Sequence, residues 1–178
     1  MKFGANGWLS GVRRKASPNC DIRPPGTSVE LLVIHNISLP PGKFGGDEIA
    51  CLFTNTLDAG AHPFFAQLHG LKVSAHFLIR RDGEVIQFVA CGKRAWHAGA
   101  SLWKGRARCN DFSIGIELEG SDNEPFESRQ YKALIRLTRI LKRAYPIRAI
   151  VGHADIAPER KTDPGPYFEW ERYLKEVS

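Results

Sequence analysis

Two histidines and one aspartate in this 178-residue sequence carry the side chains that a catalytic zinc ion prefers. His35 and His153 each follow a short apolar run, and Asp163 comes ten residues after the second histidine, in a segment rich in proline and glycine. Two imidazoles and one carboxylate leave the fourth position of a tetrahedral zinc ion for water, which is the catalytic pattern. A histidine at the end of a strand is also commonly a hydrogen-bonded structural residue, and spacing alone leaves both interpretations open.

Apolar runs predict the strands that would hold these side chains. Residues 30–34 are mostly apolar without a break, which is typical of a buried central strand, and this run ends at His35. Residues 147–152 predict the last strand, which ends at His153. The alternating segment 112–119 predicts another strand. Strand ends hold side chains rigidly, so these elements could support a metal site.

Two further strands are predicted over residues 75–80 and 84–89. The dipeptide Asp82-Gly83 lies between them and is a strong hairpin signal, because a type I′ turn requires positive φ at both central residues. The sequence therefore predicts at least one antiparallel pair among the strands.

Helical spacing predicts three helices around these strands. The first would be capped by Asp47 and would bury Ile49, Leu52, Phe53 and Leu57. The second runs from Ser128 to Tyr145, stops at Pro146, and would bury Leu134, Ile135, Leu137, Leu141 and Ala144. The third would place Trp170, Tyr173, Leu174 and Val177 on the core.

These elements predict one domain of the α/β class, with a central mixed β-sheet flanked by helices. Residues 1–28 contain three prolines and are predicted to be an irregular N-terminal arm, and residues 29–178 are predicted to form the catalytic domain. Residues 90–111 are rich in glycine, arginine and aromatic residues and are predicted to be a long functional loop.

Composition excludes several classes of protein. Hydrophobic residues make up 43% of the chain and charged residues 25%, which excludes a disordered or collagen-like chain. The net charge of +6 suits an anionic partner, whether nucleic acid, an acidic membrane surface or an acidic small molecule. The four cysteines show no Cys-x-x-Cys spacing, which indicates free reduced thiols. We expect a cytoplasmic protein, because no segment has the apolar run of a signal peptide or membrane span.

Five motifs that occur in order along the chain resemble those of the zinc-dependent N-acetylmuramoyl-L-alanine amidases, in particular the branch that acts on anhydro-muropeptides in the cytoplasm. The motifs are Val33-Ile34-His35-Asn36, Ser74-Ala75-His76, Arg94-Ala95-Trp96-His97-Ala98-Gly99, Ile114 to Gly120, and Gly152-His153 through Pro166. The resemblance extends from about Ser17 to Trp170, and the run from Ala157 to Pro166 is highly specific. It implies a fold like that of the peptidoglycan-recognition proteins.

The resemblance implies that His35, His153 and Asp163 bind zinc, that Glu117 is the catalytic acid and base, and that Lys161 stabilises the transition state. The chemistry agrees, because amide hydrolysis needs an activated water, a group that transfers its proton, and a positive charge at the oxyanion. Alternatively, Glu117 is an exposed carboxylate at the acidic end of a strand, and Lys161 is a solvated charge on a loop. The implied reaction cleaves the bond between the lactyl group of an (anhydro)muramyl sugar and L-alanine in peptidoglycan recycling.

The resemblance also suggests contacts to a muropeptide. Asn36 and Arg108 match family positions that contact it. Lys72 occupies a position where an arginine is expected; lysine keeps the positive charge but cannot make the two parallel hydrogen bonds that arginine makes to a carboxylate. Trp96 is predicted to flank a sugar ring; alternatively it pins the loop to the core. His76 is predicted to be a buried structural histidine, and no second metal site is expected from His62, His69 and His76.

Three other interpretations compete with the amidase. A basic and aromatic cluster around Trp103 and Arg108, together with the net charge, is compatible with nucleic-acid binding, but no recognised motif supports it. A non-catalytic peptidoglycan-recognition module would lack a zinc ligand, and a deaminase would show a Cys-x-x-Cys zinc signature. We therefore expect a muropeptide as the small-molecule partner, with neither nucleic acid nor membrane, and a monomeric protein.

Overall fold

The computed structural model describes residues 2–4 and 6–178. The strands of this part of the chain are β1 Arg13–Arg14, β2 Cys20–Ile22, β3 Leu31–Ile37, β4 Phe77–Ile79, β5 Val85–Gln87, β6 Lys93–Ala95, β7 Leu102–Trp103, β8 Arg106–Ala107, β9 Ser113–Glu119 and β10 Ala149–Gly152. The helices are α1 Glu48–Phe53, α2 Pro63–Ala66, α3 Ser128–Ala144, α4 His153–Ile156 and α5 Trp170–Val177, and Cys109–Asp111 is a 3₁₀ turn.

Six strands form a central mixed sheet in the order β1-β5-β4-β9-β3-β10. β4, β9, β3 and β10 are mutually parallel, β4 and β5 are antiparallel, and β1 is parallel to β5. The predicted mixed sheet flanked by helices is therefore confirmed. Because four neighbouring strands are parallel, their carboxyl ends meet at one edge of the sheet, where open α/β folds bind ligands.

Side-chain alternation along β3 and β9 gives the two faces of the sheet different roles. Leu32 and Ile34 lie in the cluster that packs against α3 and α5, whereas Leu31 and Val33 lie in a cluster on the opposite side with Phe112. Both faces are covered, which explains the continuous apolar run. His35 shares the parity of Leu31 and Val33, so its side chain lies on the face away from α3.

The long helix α3 buries Leu134, Leu137 and Leu141 against this sheet, as predicted. The predicted burial of Ala144 is wrong: this residue is exposed, since the helix ends there and Tyr145 is already extended. In α5, Tyr173 and Val177 are buried but Leu174 is 39% exposed, so its predicted core position is also wrong.

Two local predictions, the cap of α1 and the type of turn between β4 and β5, are wrong. Asp47 precedes α1 but makes no side-chain capping bond; its carboxylate instead lies 3.4 Å from the Arg80 guanidinium. The turn between β4 and β5 is not type I′, because within it only Gly83 has a positive φ, at +88°. Gly83 N–H donates to the Arg80 carbonyl at 2.9 Å, which makes a three-residue loop with a left-handed glycine.

The segment predicted as an irregular arm is instead part of the folded body. β1 extends the central sheet beside β5, and β2 pairs with β6 of the predicted functional loop. Arg23, which follows β2, is buried. The four cysteines are free, as predicted. None of the helices in the described part of the chain combines the length and the apolar character that crossing a bilayer requires.

Candidate metal centre

Three side chains converge at the carboxyl edge of the parallel strands. Nδ1 of His35 lies 3.0 Å from Nδ1 of His153 and 3.0 Å from Oδ2 of Asp163, and the remaining pair of atoms is 3.1 Å apart. Among the described residues these three form a group of ligand-type side chains compact enough to hold a metal ion. The structure thus brings together the three residues that the sequence analysis singled out.

Strand register explains why the two histidines meet. Gly152 of β10 is level with Ile34 of β3, so His153, the next residue, comes level with His35. Asp163 arrives on the loop that follows α4, and this loop is closed where the Ala154 N–H donates to the Asp163 carbonyl at 2.9 Å. The strand pairing therefore places the two histidines level with each other, and the loop after α4 brings the Asp163 carboxylate back to them.

The far side of each imidazole is also bonded. Nε2 of His153 lies 3.1 Å from the carbonyl oxygen of Ala98, and Nε2 of His35 lies 2.9 Å from Nδ1 of His97. Nε2 of His97 in turn lies 3.1 Å from the hydroxyl of Ser113. A carbonyl can only accept, so neutral His153 carries its proton on Nε2 and presents a lone pair on Nδ1.

The charge states in the group suit metal binding. Burial lowers the pKa of His35 to about 4, so its imidazole is neutral at pH 7. Burial alone would raise the pKa of Asp163, but its hydrogen bonds to the two histidines lower the pKa below its ordinary value. Metal ligation requires deprotonated ligands of this kind. A proton on Nδ1 of His153 makes its 3.1 Å contact with Asp163 a hydrogen bond, and a bound cation can take the place of that proton. The donor set therefore fits a divalent metal ion.

Glu117 lies beside this group, level with His35 across the β3–β9 pair. It is 8% exposed, and within the described residues its buried Oε2 has no hydrogen-bond partner. Burial, reinforced by the charge of Asp163 and opposed by that of Lys161, raises the pKa of Glu117 well above its ordinary value. The alternative of an exposed carboxylate is wrong. A carboxyl group with a raised pKa suits proton transfer near neutral pH.

Lys161 and Asn36 line an open cavity that also contains Asp163. The amide nitrogen of Asn36 donates to Asp122 at 2.6 Å and to the Pro164 carbonyl at 3.0 Å, which ties the loop of Asp163 to the end of β9. Lys161 is partly buried, so the alternative of a fully solvated lysine does not describe it. Of the three candidate ligands, Asp163 lies in the wall of this cavity, and the two histidines do not.

The other three predicted substrate contacts do not line the cavity that contains Lys161. Trp96 is partly buried next to His97, and its backbone N–H donates to the Ser74 hydroxyl at 3.1 Å. Arg108 is exposed, has a left-handed backbone and pairs with Asp111 at 3.2 Å. Lys72 lines a separate cavity that shares no wall residue with the one containing Lys161. These three contacts remain predictions.

Sequence reasoning missed most of what surrounds the group. His97 was given no role of its own, yet it contacts His35 directly. Asn110 and Arg23 were not singled out, although both bond to segments that touch the histidines. The motif containing Trp96-His97-Ala98 was the only available signal, and it did not indicate which residue the imidazole contacts. His76 is fully buried, which confirms its predicted structural role.

Comparison with known proteins defines the class to which this fold and group belong. The profile of the N-acetylmuramoyl-L-alanine amidase family matches residues 25–166. This chain belongs to the N-acetylmuramoyl-L-alanine amidase family and is an amidase of that class. The family match therefore favours an amidase over a nucleic-acid-binding protein or a deaminase.

Within the family, the chain is similar to particular amidases. It is 58% identical over 174 residues to the 1,6-anhydro-N-acetylmuramyl-L-alanine amidase AmpD of Escherichia coli, covering 97% of this chain and 95% of that protein. The crystal structure of a selenomethionine derivative of AmpD has a TM-score of 0.95 at 56% identity, covering 97% and 98% of the two chains.

A more distant relative has been solved with a substrate. The N-acetylmuramyl-L-alanine amidase AmiD of Escherichia coli, in complex with anhydro-N-acetylmuramic acid-L-Ala-D-γ-Glu-L-Lys, matches with a TM-score of 0.62 at 33% identity. The match covers 86% of this chain and 60% of that one. The relative therefore shows a muropeptide bound to a related fold.

Proposed function

We propose that this chain is a zinc-dependent amidase that hydrolyses the bond between the lactyl group of anhydro-N-acetylmuramic acid and L-alanine of muropeptides, in the cytoplasmic recycling of peptidoglycan. The observation that carries the proposal is the convergence of His35, His153 and Asp163 beside the buried Glu117. Identity of 58% with an amidase named for the anhydro substrate supports the choice of substrate.

The residues of this chain have distinct parts in that reaction. Zinc bound by His35, His153 and Asp163 would lower the pKa of a coordinated water toward about 7 and polarise the amide carbonyl. Glu117 accepts the proton of the attacking water and returns it to the departing alanine nitrogen, a transfer that its raised pKa favours at neutral pH. Lys161 supplies a positive charge where the oxyanion develops.

The predicted substrate contacts complete the proposal. Muropeptide stems carry free carboxylates, which arginine binds bidentately, so Arg108 is proposed to hold the stem and Lys72 to add a monodentate charge. Trp96 is proposed to flank the sugar, and Asn36 to contact the substrate from the wall of the cavity that contains Lys161. The basic balance of +6 suits such an acidic substrate.

One experiment tests the reaction and the metal together. Purified protein is analysed for zinc and incubated with an anhydro-muropeptide, and the products are identified by mass. We expect one zinc ion per chain and two products, the free stem peptide and the anhydro-muramyl sugar. A chelator should abolish turnover, and added zinc should restore it.

Two results would contradict the proposal in different ways. Active protein without a transition metal would show that the zinc mechanism is wrong. Equal or faster turnover of intact cross-linked wall would show that the anhydro-muropeptide is not the preferred substrate. A matched reaction with His35→Ala protein should show neither metal nor turnover and serves as the control for contaminating amidases.

A further inference from the structure

We infer that His97 is a positioning residue of the metal centre, which works together with the carbonyl of Ala98 to orient both histidine ligands. The inference rests on the proposed zinc site. Nδ1 of His97 lies 2.9 Å from Nε2 of His35, and the oxygen of Ala98 lies 3.1 Å from Nε2 of His153. Two consecutive residues of one loop thus contact the far sides of both imidazoles.

The direction of these hydrogen bonds follows from the metal side of the rings. Nδ1 of His35 and Nδ1 of His153 both face Asp163, so with a metal bound both present lone pairs there and carry their protons on Nε2. His97 must then accept at Nδ1 and carry its own proton on Nε2. That proton is donated to the Ser113 hydroxyl at 3.1 Å. The chain of bonds fixes one tautomer of His35.

Asn110 fixes the backbone of His97 and Ala98. Its side-chain oxygen accepts the backbone N–H of His97 at 3.2 Å and that of Ala98 at 2.8 Å. Arg160 also donates to the Ala98 carbonyl, at 2.9 Å. The loop is therefore bonded on both sides of the atoms that contact the imidazoles, which limits its movement.

Close packing also restrains the His97 ring. A Cβ atom at Gly115 of β9 would lie 2.5 Å from Cγ of His97, closer than real contacts allow, so the strand approaches the ring as only glycine permits. The rings of His97 and His35 are edge to face, with centroids 5.0 Å apart. Outer partners of this kind set ring orientation and ligand basicity in metal sites.

The test compares two replacements of His97 by their zinc affinity. His97→Leu removes the acceptor at similar volume, whereas His97→Asn places an amide oxygen near the position of Nδ1. Zinc affinity of the metal-free proteins is measured by competition with a chromophoric chelator. We expect His97→Leu to weaken zinc binding by about 10–100-fold and His97→Asn to stay within about threefold of wild type.

Controls separate positioning from folding. Thermal unfolding of each metal-free protein shows whether the fold is retained. Asn19→Leu is the matched variant, because Asn19 is a buried amide that bonds to Asn55 and to backbone carbonyls of Phe53 and Val73, away from the ligands. It should lower stability and leave zinc affinity unchanged.

The outcomes distinguish this inference from the function on which it rests. Wild-type protein that binds no zinc removes the proposed function itself, before any variant is compared. Tight binding by wild type and equally tight binding by His97→Leu overturns the inference alone. Equal weakening in His97→Leu and His97→Asn also overturns it, because the effect would then come from packing rather than from the acceptor.

Discussion

Glu117 is the side chain whose replacement best separates proton transfer from metal binding. Glu117→Gln keeps the size and polarity of the residue but cannot accept a proton. We expect the variant to retain zinc and substrate binding and to lose turnover by about 10²–10⁴-fold, the usual share of general acid–base catalysis. Steady-state kinetics and elemental analysis of the same preparation measure both. Near-normal turnover with zinc in place would show that another group is the base.

Lys161 tests the electrostatic part of the mechanism. Lys161→Ala removes a positive charge from the cavity that contains Asp163, and because this charge acts on the developing oxyanion, turnover should fall by about 10²–10³-fold with little change in KM. Lys132→Ala is the matched control, since Lys132 is an exposed lysine on α3, and it should leave both constants unchanged. A rise in KM alone would instead assign Lys161 to substrate binding.

The elements of the fold differ in how far the sequence alone predicts them. The start of β3 and both ends of α3 were predicted to within one residue, because burial on both faces of a strand, or on one face of a long helix, imposes a clear apolar pattern. β3 continues to Ile37, and its predicted end falls short because its last residues are polar or only partly buried. β1 and β2 have two and three residues, and their pairing depends on the partner strand rather than on their own side chains. This is why the N-terminal segment was predicted as an irregular arm.

The same contrast holds within the metal centre. The two histidines could be predicted because each follows an apolar run, and the register of parallel strands brings such positions level near one edge of the sheet. The prediction that the strand ends at His35 is wrong, since His35 is the fifth residue of β3. The contact of His97 with His35 spans 62 residues of chain, and that of Arg23 with Ser113 spans 90. Such contacts depend on how loops cross the sheet edge, which no local pattern encodes. Family resemblance supplied the ligand roles, while the supporting contacts required the structure.

The N-terminal segment is joined to the site region through one buried arginine. Arg23 donates, at 2.8 to 3.4 Å, to the carbonyls of Cys91, Asn110, Asp111 and Ser113. Burial lowers its pKa to about 10, so it stays charged at neutral pH. Arg23→Met removes the donor from each of these carbonyls, and we expect it to lower the free energy of unfolding by about 2–4 kcal/mol.

Urea denaturation measures this loss, with an unchanged slope against urea concentration indicating the same folded state. Arg13→Met is the matched control. Arg13 lies on β1 of the same segment, but its side chain is 45% exposed and its ion pair with Glu84 is long, at 3.8 Å. It should change the free energy of unfolding by less than about 0.5 kcal/mol. Equal effects of the two variants would contradict the anchoring role of Arg23.

For the molecule as a whole, the metal is expected to serve catalysis rather than folding. The three apolar clusters of the core contain none of the proposed ligands. Metal-free protein should therefore keep its far-UV circular dichroism and unfold cooperatively, and zinc should raise its Tm by binding the native state alone. Loss of the cooperative transition on chelation would show that the metal is structural.

Acid sensitivity of the whole fold is expected from His76. Its Nδ1 accepts the Gly115 N–H and its Nε2 lies 3.1 Å from the Lys93 carbonyl, so the ring is held neutral. Burial, reinforced by the charge of Arg23, lowers its pKa to about 3, below the unfolded value of about 6.5. The unfolded chain therefore binds this proton first as the pH falls. The contribution of His76 is full above about pH 6.5 and is lost between about pH 6.5 and 3.

Comparison of wild type with His76→Gln isolates this contribution from those of other titrating groups. His97 lies near His76, with ring centroids 5.8 Å apart, but it is present in both proteins and so cancels. Between pH 7.5 and 5.5 the free energy of unfolding of metal-free wild type should fall by about 1 kcal/mol more than that of the variant. Urea denaturation at the two pH values measures the difference. Parallel pH dependence in the two proteins would show that His76 takes up its proton in the folded state as readily as in the unfolded chain.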